Sequence, residues 1–131
     1  MQMLVVHARS DVARLRELRT AHTFSLLTAP DAACFLGLGY MLEMQRDCAP
    51  HMLLVGCGSD AALAHEALRI GIKQVYAQVA PEMQHKLKAI AAQMQAMFTA
   101  DYPADAVDIG SLSSLEHVQT FLQGAPHGIN A

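Results

Sequence analysis

Charge is scarce in this sequence: Asp, Glu, Lys and Arg make up 16% of the 131 residues, against about a quarter in ordinary soluble domains. Lys and Arg number 9 and Asp and Glu 12, a net charge of −3. Without a basic excess or a basic run there is no electrostatic track for nucleic acid, and the chain is no general polyanion binder. Long apolar runs are missing too. No window approaches the roughly 18 apolar residues of a membrane span. The opening MQMLVVHARSD meets Arg9 and Asp11 before it reaches the length of a secretion signal. Cys34, Cys48 and Cys57 are odd in number and lack CxxC spacing, which fits free thiols in a reducing compartment. The expectation is a cytoplasmic protein with no membrane and no nucleic-acid partner.

What the chain has in quantity is hydrophobic residues, 53% of the total. That share argues against disorder. In a chain of one-domain size it also leaves apolar surface beyond what a single core absorbs. A homo-oligomer formed through apolar helices is therefore expected.

Short apolar runs alternate with longer amphipathic ones. Strands are expected over Met3–Ala8, Phe24–Ala29, His51–Gly56 and Lys73–Val79, with a weak fifth over Ala106–Gly110. Ser10 or Asp11 is expected to cap a first helix with Val12, Leu15 and Leu18 on one face. Pro30 and Asp31 open a second helix reaching Asp47, apolar almost all round and so expected to be deeply buried or at a subunit contact. Gly37 and Gly39 within it cost about 1 kcal/mol each relative to Ala, which close helix packing would offset. Ser59 and Asp60 precede a third helix ended by Gly71. Pro81 opens a long fourth helix to Phe98, and Ser113 or Ser114 caps a last one.

Strands that are apolar throughout, each followed by a helix, specify a parallel sheet covered on both faces. The expected fold is α/β: a single three-layer α/β/α sandwich over residues 1–123 with a five-stranded parallel sheet and a flexible tail over 124–131. It would be flavodoxin-like with strand order 2-1-3-4-5, or Rossmann-like.

In such sheets ligands sit at the carboxyl ends of the strands. That rule gathers His7, Arg9 and Ser10 after the first strand and Thr28 and Asp31 after the second. Gly56, Cys57, Gly58, Ser59 and Asp60 follow the third, Gln78 the fourth and Ser111 the fifth. In GCGSD the two glycines permit close backbone approach, and a helix start offers N–H groups to a small anionic ligand. Asp60 opposes an anion, however, and the pattern lacks a P-loop lysine and is not GxGxxG. The plainer alternative is a strand-to-helix turn capped by Ser59. Cys57 at that turn, beside His7 if strands one and three are neighbours, is a candidate nucleophile of lowered pKa. Its plainer alternative is a small buried apolar residue.

Other chemistries find little footing. No histidine pair has i, i+4 or HExxH spacing, and Cys48 with His51 lacks a second pair, so no metal site is expected. There is no GxSxG elbow. Asp31 and Asp60 are more cheaply explained as helix-capping or first-turn residues, and Asp108 reaches the same edge only if the last strand is shifted. Met41, Met44, Met94 and Met97 are either core or an adaptable apolar surface.

The stretch GSDAALAHEALRIGIKQVYAQVAPEMQHKLKAI resembles the closing strand-helix-strand-helix of response-regulator receiver domains, where an Ala-rich helix ends in A-L-R-x-G before the last strand. The resemblance covers about a quarter of the chain. It implies an α/β fold and a partner surface around Tyr76 and Met83. The family's phosphorylation chemistry is not carried over: His7-Ala8-Arg9 stands where the acidic pair belongs, Thr28 where the phosphoacceptor Asp is sought, and QVAP where Lys-Pro follows.

Three functions are expected to compete. The first is a non-catalytic ligand- or partner-binding domain that self-associates. The second is a small-metabolite enzyme using Cys57 and His7, with Asp31 nearby. The third is a receiver-like signalling module without phosphorylation. The residues leave the cofactor unknown.

Overall fold

Alternation of short branched-apolar runs with amphipathic segments is converted directly into βα units. The computed structural model describes residues 2–17 and 24–111. Along the chain it has β1 (Gln2–Val5), α1 (Arg9–Arg16), β2 (Phe24–Leu27), α2 (Ala32–Leu36), α3 (Leu38–Cys48), β3 (Leu53–Gly56) and α4 (Ala61–Arg69). Then come β4 (Gln74–Tyr76), α5 (Pro81–Gln93), β5 (Met97–Thr99), β6 (Val107–Asp108) and a 3-10 turn over Ile109–Ser111.

Every strand pairing is parallel, in the order β5-β4-β3-β2-β1-β6. The α/β sandwich is thus the fold this chain takes, and among the described residues its sheet is wholly parallel, with six strands instead of five. The order differs from 2-1-3-4-5: β1 lies between β2 and β6, and β2 separates it from β3. Crossovers that each step one strand over give this sequential order from β1 to β5. The chain reverses direction across the sheet once, at β6.

Register shows where the core sits. Leu4 pairs with Leu26 and Leu26 with Leu53, while Val55 pairs with Val75 and Val75 with Phe98. Paired residues point to one side, and these six share one buried cluster with Val12 and Leu15 of α1, Met41 and Met44 of α3, Ala64 and Leu68 of α4, and Leu87 and Ala91 of α5. On the other side Val5, Leu27 and Tyr76 are buried outside that cluster. Between β5 and β6 the chain passes them: the Tyr102 hydroxyl donates to the Thr28 carbonyl at 2.7 Å, and its ring meets Tyr76 edge-on at 5.3 Å. Leu18, the expected helix after Ser113 and the tail over 124–131 lie outside the described residues.

Several local expectations change. The apolar segment from Asp31 to Asp47 is two helices, because Gly37 takes φ +85° and breaks the hydrogen-bond ladder. No atom outside its chain neighbours stands within 4 Å of a Cβ added at Gly37 or Gly39, so close packing does not account for either. Met41 and Met44 of α3 are fully buried, yet Phe35 on α2 is 79% exposed. α1 is capped at Ala8, and Ser10 falls inside the helix. Asp11 reaches back from the first turn to accept the N–H groups of His7 (2.8 Å) and Ala8 (3.2 Å). Gly71 ends α4 at φ +107°, as expected of a C′ glycine.

α5 stops at Gln93, five residues before Phe98. The Ala96 N–H bonds the Ala91 carbonyl and the Gln95 N–H the Ala92 carbonyl, with Gln95 at φ +56°. That is a Schellman C-terminus built on glutamine where glycine is usual. The freed residues Met97–Thr99 become β5, a strand absent from the sequence reading.

Candidate functional site

Topology decides which candidate residues meet. His7, Arg9 and Ser10 follow β1 at one end of the rim, and the GCGSD turn follows β3. With β2 between them, His7 and Cys57 belong to strands about 10 Å apart, and the expected His–Cys pairing is not formed. The partner of His7 comes from β6 instead: its Nε2 lies 2.7 Å from Asp108 Oδ2. Asp108 Oδ1 also accepts the Gly110 N–H, and the Ser111 hydroxyl donates to the Asp108 carbonyl. Partial burial pushes the Asp108 carboxyl up, but Gly110 and His7 together hold it below the ordinary carboxylate value.

Arg9 is committed elsewhere. Its guanidinium donates twice to Asp47 of α3, Nε to Oδ2 at 2.6 Å and Nη2 to Oδ1 at 3.2 Å, and its backbone N–H donates to the Tyr40 hydroxyl. The hydrogen bonds from Arg9 hold Asp47 below the ordinary carboxylate value. Arg9 and Ser10 do line an open hollow of about 420 Å³ with Ala13, Arg16 and Asp47, on the helical side and away from the GCGSD turn.

Cys57 is fully buried within the core cluster. Burial first, then Cys34 and Asp60, push its thiol up to about 12. The expected lowering by the α4 N-terminus is reversed because desolvation disfavours the thiolate more than the helix end favours it. The turn around it is taken up by internal bonds. The Gly56 N–H donates to Thr28 Oγ1, that of Cys57 to the Tyr76 carbonyl, that of Gly58 to the Pro30 carbonyl and that of Asp60 to the Cys57 carbonyl. An anion would find these four donors already bonded. The cap of α4 is Asp60, not Ser59: its Oδ1 accepts the Leu63 N–H at 3.0 Å, so a carboxylate already occupies that helix end. Gly56 is required by close approach. A Cβ there would stand 2.3 Å from the Ala29 carbonyl oxygen and 2.4 Å from that of Pro30.

A concavity does open at this part of the rim. It measures about 320 Å³ between α2 and the ends of β3 and β4, lined by Pro30, Asp31, Cys34, Phe35, Gly58, Ser59, Tyr76 and Gln78. Gly58, at φ +62°, lies where Asp31 and Cys34 converge: an added Cβ would meet Cys34 Sγ at 3.2 Å and Asp31 Cβ at 3.4 Å. The Gly58 carbonyl accepts the Gln78 N–H at 2.8 Å, tying the β4 exit to the β3 turn. Tyr76 is braced by Tyr102. The exposed Cys34 thiol is raised by desolvation and by the charges of Asp60 and Asp31.

The rim rule thus found Asp31, Gly58, Ser59 and Gln78. It missed Phe35, Cys34, Tyr76 and the brace from Tyr102. The only signal for Phe35 was Gly37, which ends α2 at Leu36 with only Ala33 of that helix buried. Among the described residues no group of His, Cys, Asp and Glu is placed to hold a metal ion, and no helix is long and apolar enough to cross a membrane. No protein-family model, curated protein or solved structure matches the chain.

Proposed function

We propose that this chain is a non-catalytic, cytoplasmic binding domain that receives a small ligand in the rim cleft beside α2 and self-associates through its exposed apolar residues. The observation that carries the reading is the cleft itself, with an aromatic ring 79% exposed at its edge. Exposing a ring of that size leaves apolar surface in water that a bound group would cover. Pre-formed walls favour binding: Gly56 is locked against the Ala29–Pro30 backbone, and Gln78 is tied to Gly58. Self-association is supported by Leu36, Met52, Met94 and Met97, which are all exposed. Free Cys34, Cys48 and Cys57 support a reducing compartment.

Amide-resolved NMR against a fragment library tests the ligand half. Saturable shifts at Cys34, Phe35, Gly58 and Gln78 are the expected result, and shifts that avoid the cleft would refute it. Size-exclusion chromatography with light scattering at micromolar concentration tests the other half, which a strict monomer would refute.

The His7–Asp108 pair favours a second reading. It stands where the strand order reverses, between β1 and β6, the position at which open α/β sheets hold ligands. A carboxylate fixing an imidazole is also the arrangement of a general base. In that case the same NMR titration would move His7, Asp108 and Gly110 and leave the cleft untouched.

A further inference from the structure

We infer that the rim cleft selects a small organic cation, an alkylammonium, in place of the anion that a glycine-containing turn at a helix start suggests. The inference rests on the binding reading above and adds the charge and class of the ligand. Asp31 carries it. Asp31 lines the cleft, and its side chain makes no capping hydrogen bond to α2 and forms no ion pair among the described residues. Asp60 adds a second negative charge at the same rim, and Arg9 is occupied by Asp47. A cation entering here meets attraction from both carboxylates, and an anion meets repulsion from both.

The walls specify the rest of the ligand. Phe35 lies four residues after Asp31, so the two occupy the same side of α2. Tyr76 supplies a second aromatic ring and Pro30 an apolar wall. An ammonium head beside Asp31, with its alkyl part on Phe35 and Pro30, satisfies charge and apolar surface together. A metal ion does not fit as well, since hard cations require six or more oxygen ligands and Asp31 offers one carboxylate. A volume of about 320 Å³ sets the size to a small molecule.

The test is a titration of the full chain followed by amide NMR, with n-butylammonium and tetramethylammonium as probes and n-butanol and acetate as controls at matched ionic strength. Butylammonium is expected to shift Cys34, Phe35, Gly58, Ser59 and Gln78 saturably and to bind about fivefold more tightly than butanol. Asp31→Asn should bring butylammonium down to the butanol level and leave butanol unchanged. Phe35→Leu, at an exposed position with little consequence for folding, should weaken tetramethylammonium about threefold. Butanol or acetate binding as tightly as butylammonium, or an Asp31→Asn variant that binds the ammonium normally, would overturn the cation inference and leave the cleft a binding site. A cleft that responds to no probe and no fragment would overturn both.

Discussion

The imidazole of His7 and the carboxylate of Asp108 meet at 2.7 Å across 101 positions of sequence, joining the exits of β1 and β6. β6 is two residues long and pairs only with Leu4 and Val5, so this contact and the Asp108–Gly110 bond fasten an edge that backbone pairing holds only lightly.

Asp108→Asn is expected to destabilise the protein by at most about 1 kcal/mol, since both side chains are half exposed. The folded-state pKa of Asp108 is depressed. Its contribution is therefore complete above the unfolded carboxylate value of about 3.9 and is lost as pH falls through the native value. Urea unfolding should separate variant from parent at neutral pH, and the gap should close on acidification below about pH 4.

Gly56 and Gly39 should respond oppositely to alanine. At Gly56 the added carbon runs into backbone oxygen and carbon between 2.3 and 2.5 Å away, and a backbone cannot rotate aside as a side chain can. Gly56→Ala should cost about 3 kcal/mol or abolish folding. At Gly39, within α3 and facing open space, alanine should stabilise by about 0.5 kcal/mol. Denaturant midpoints measured side by side check both signs.

Thiol labelling should find one reactive cysteine per native chain and three after unfolding, because Cys34 is exposed and Cys48 and Cys57 are buried. The Cys34 thiol is held above its ordinary value by desolvation, Asp60 and Asp31, so it should react more slowly than a free thiol near pH 8. Asp31→Asn should speed it. Rapid labelling of Cys57 in the folded state would contradict the burial that pushes it to about 12.

Gln95→Gly should stabilise the protein by about 1 kcal/mol, since the residue sits at φ +56° where a side chain is strained. Thermal unfolding checks it. No gain would mean that the Gln95 side chain compensates the strain.

The class of fold was legible because parallel strands buried on both faces read as unbroken apolar runs, as LLVG and LVV do. Strand order was not. It depends on which neighbour each crossover reaches, and helices of similar length serve either order. β5 was invisible for a local reason: the stop after Gln93 uses a left-handed glutamine, and MQAMF continues the helical composition without punctuation. Gly37 shows the converse, a stop signal present in the sequence but overridden in the reading by the apolar run around it. The choice of rim candidates followed from strand polarity alone. The burial of Cys57 and the exposure of Phe35 arise from tertiary packing, which residue spacing does not encode.

Because β1 to β5 lie side by side in the order they are synthesised, nearly every pairing in the sheet joins consecutive units of the chain. Contacts so close in sequence lower the entropy lost on the way to the folding barrier. Among the described strands β6 alone pairs with one far away in sequence, Val107 and Asp108 lying beside Leu4 and Val5.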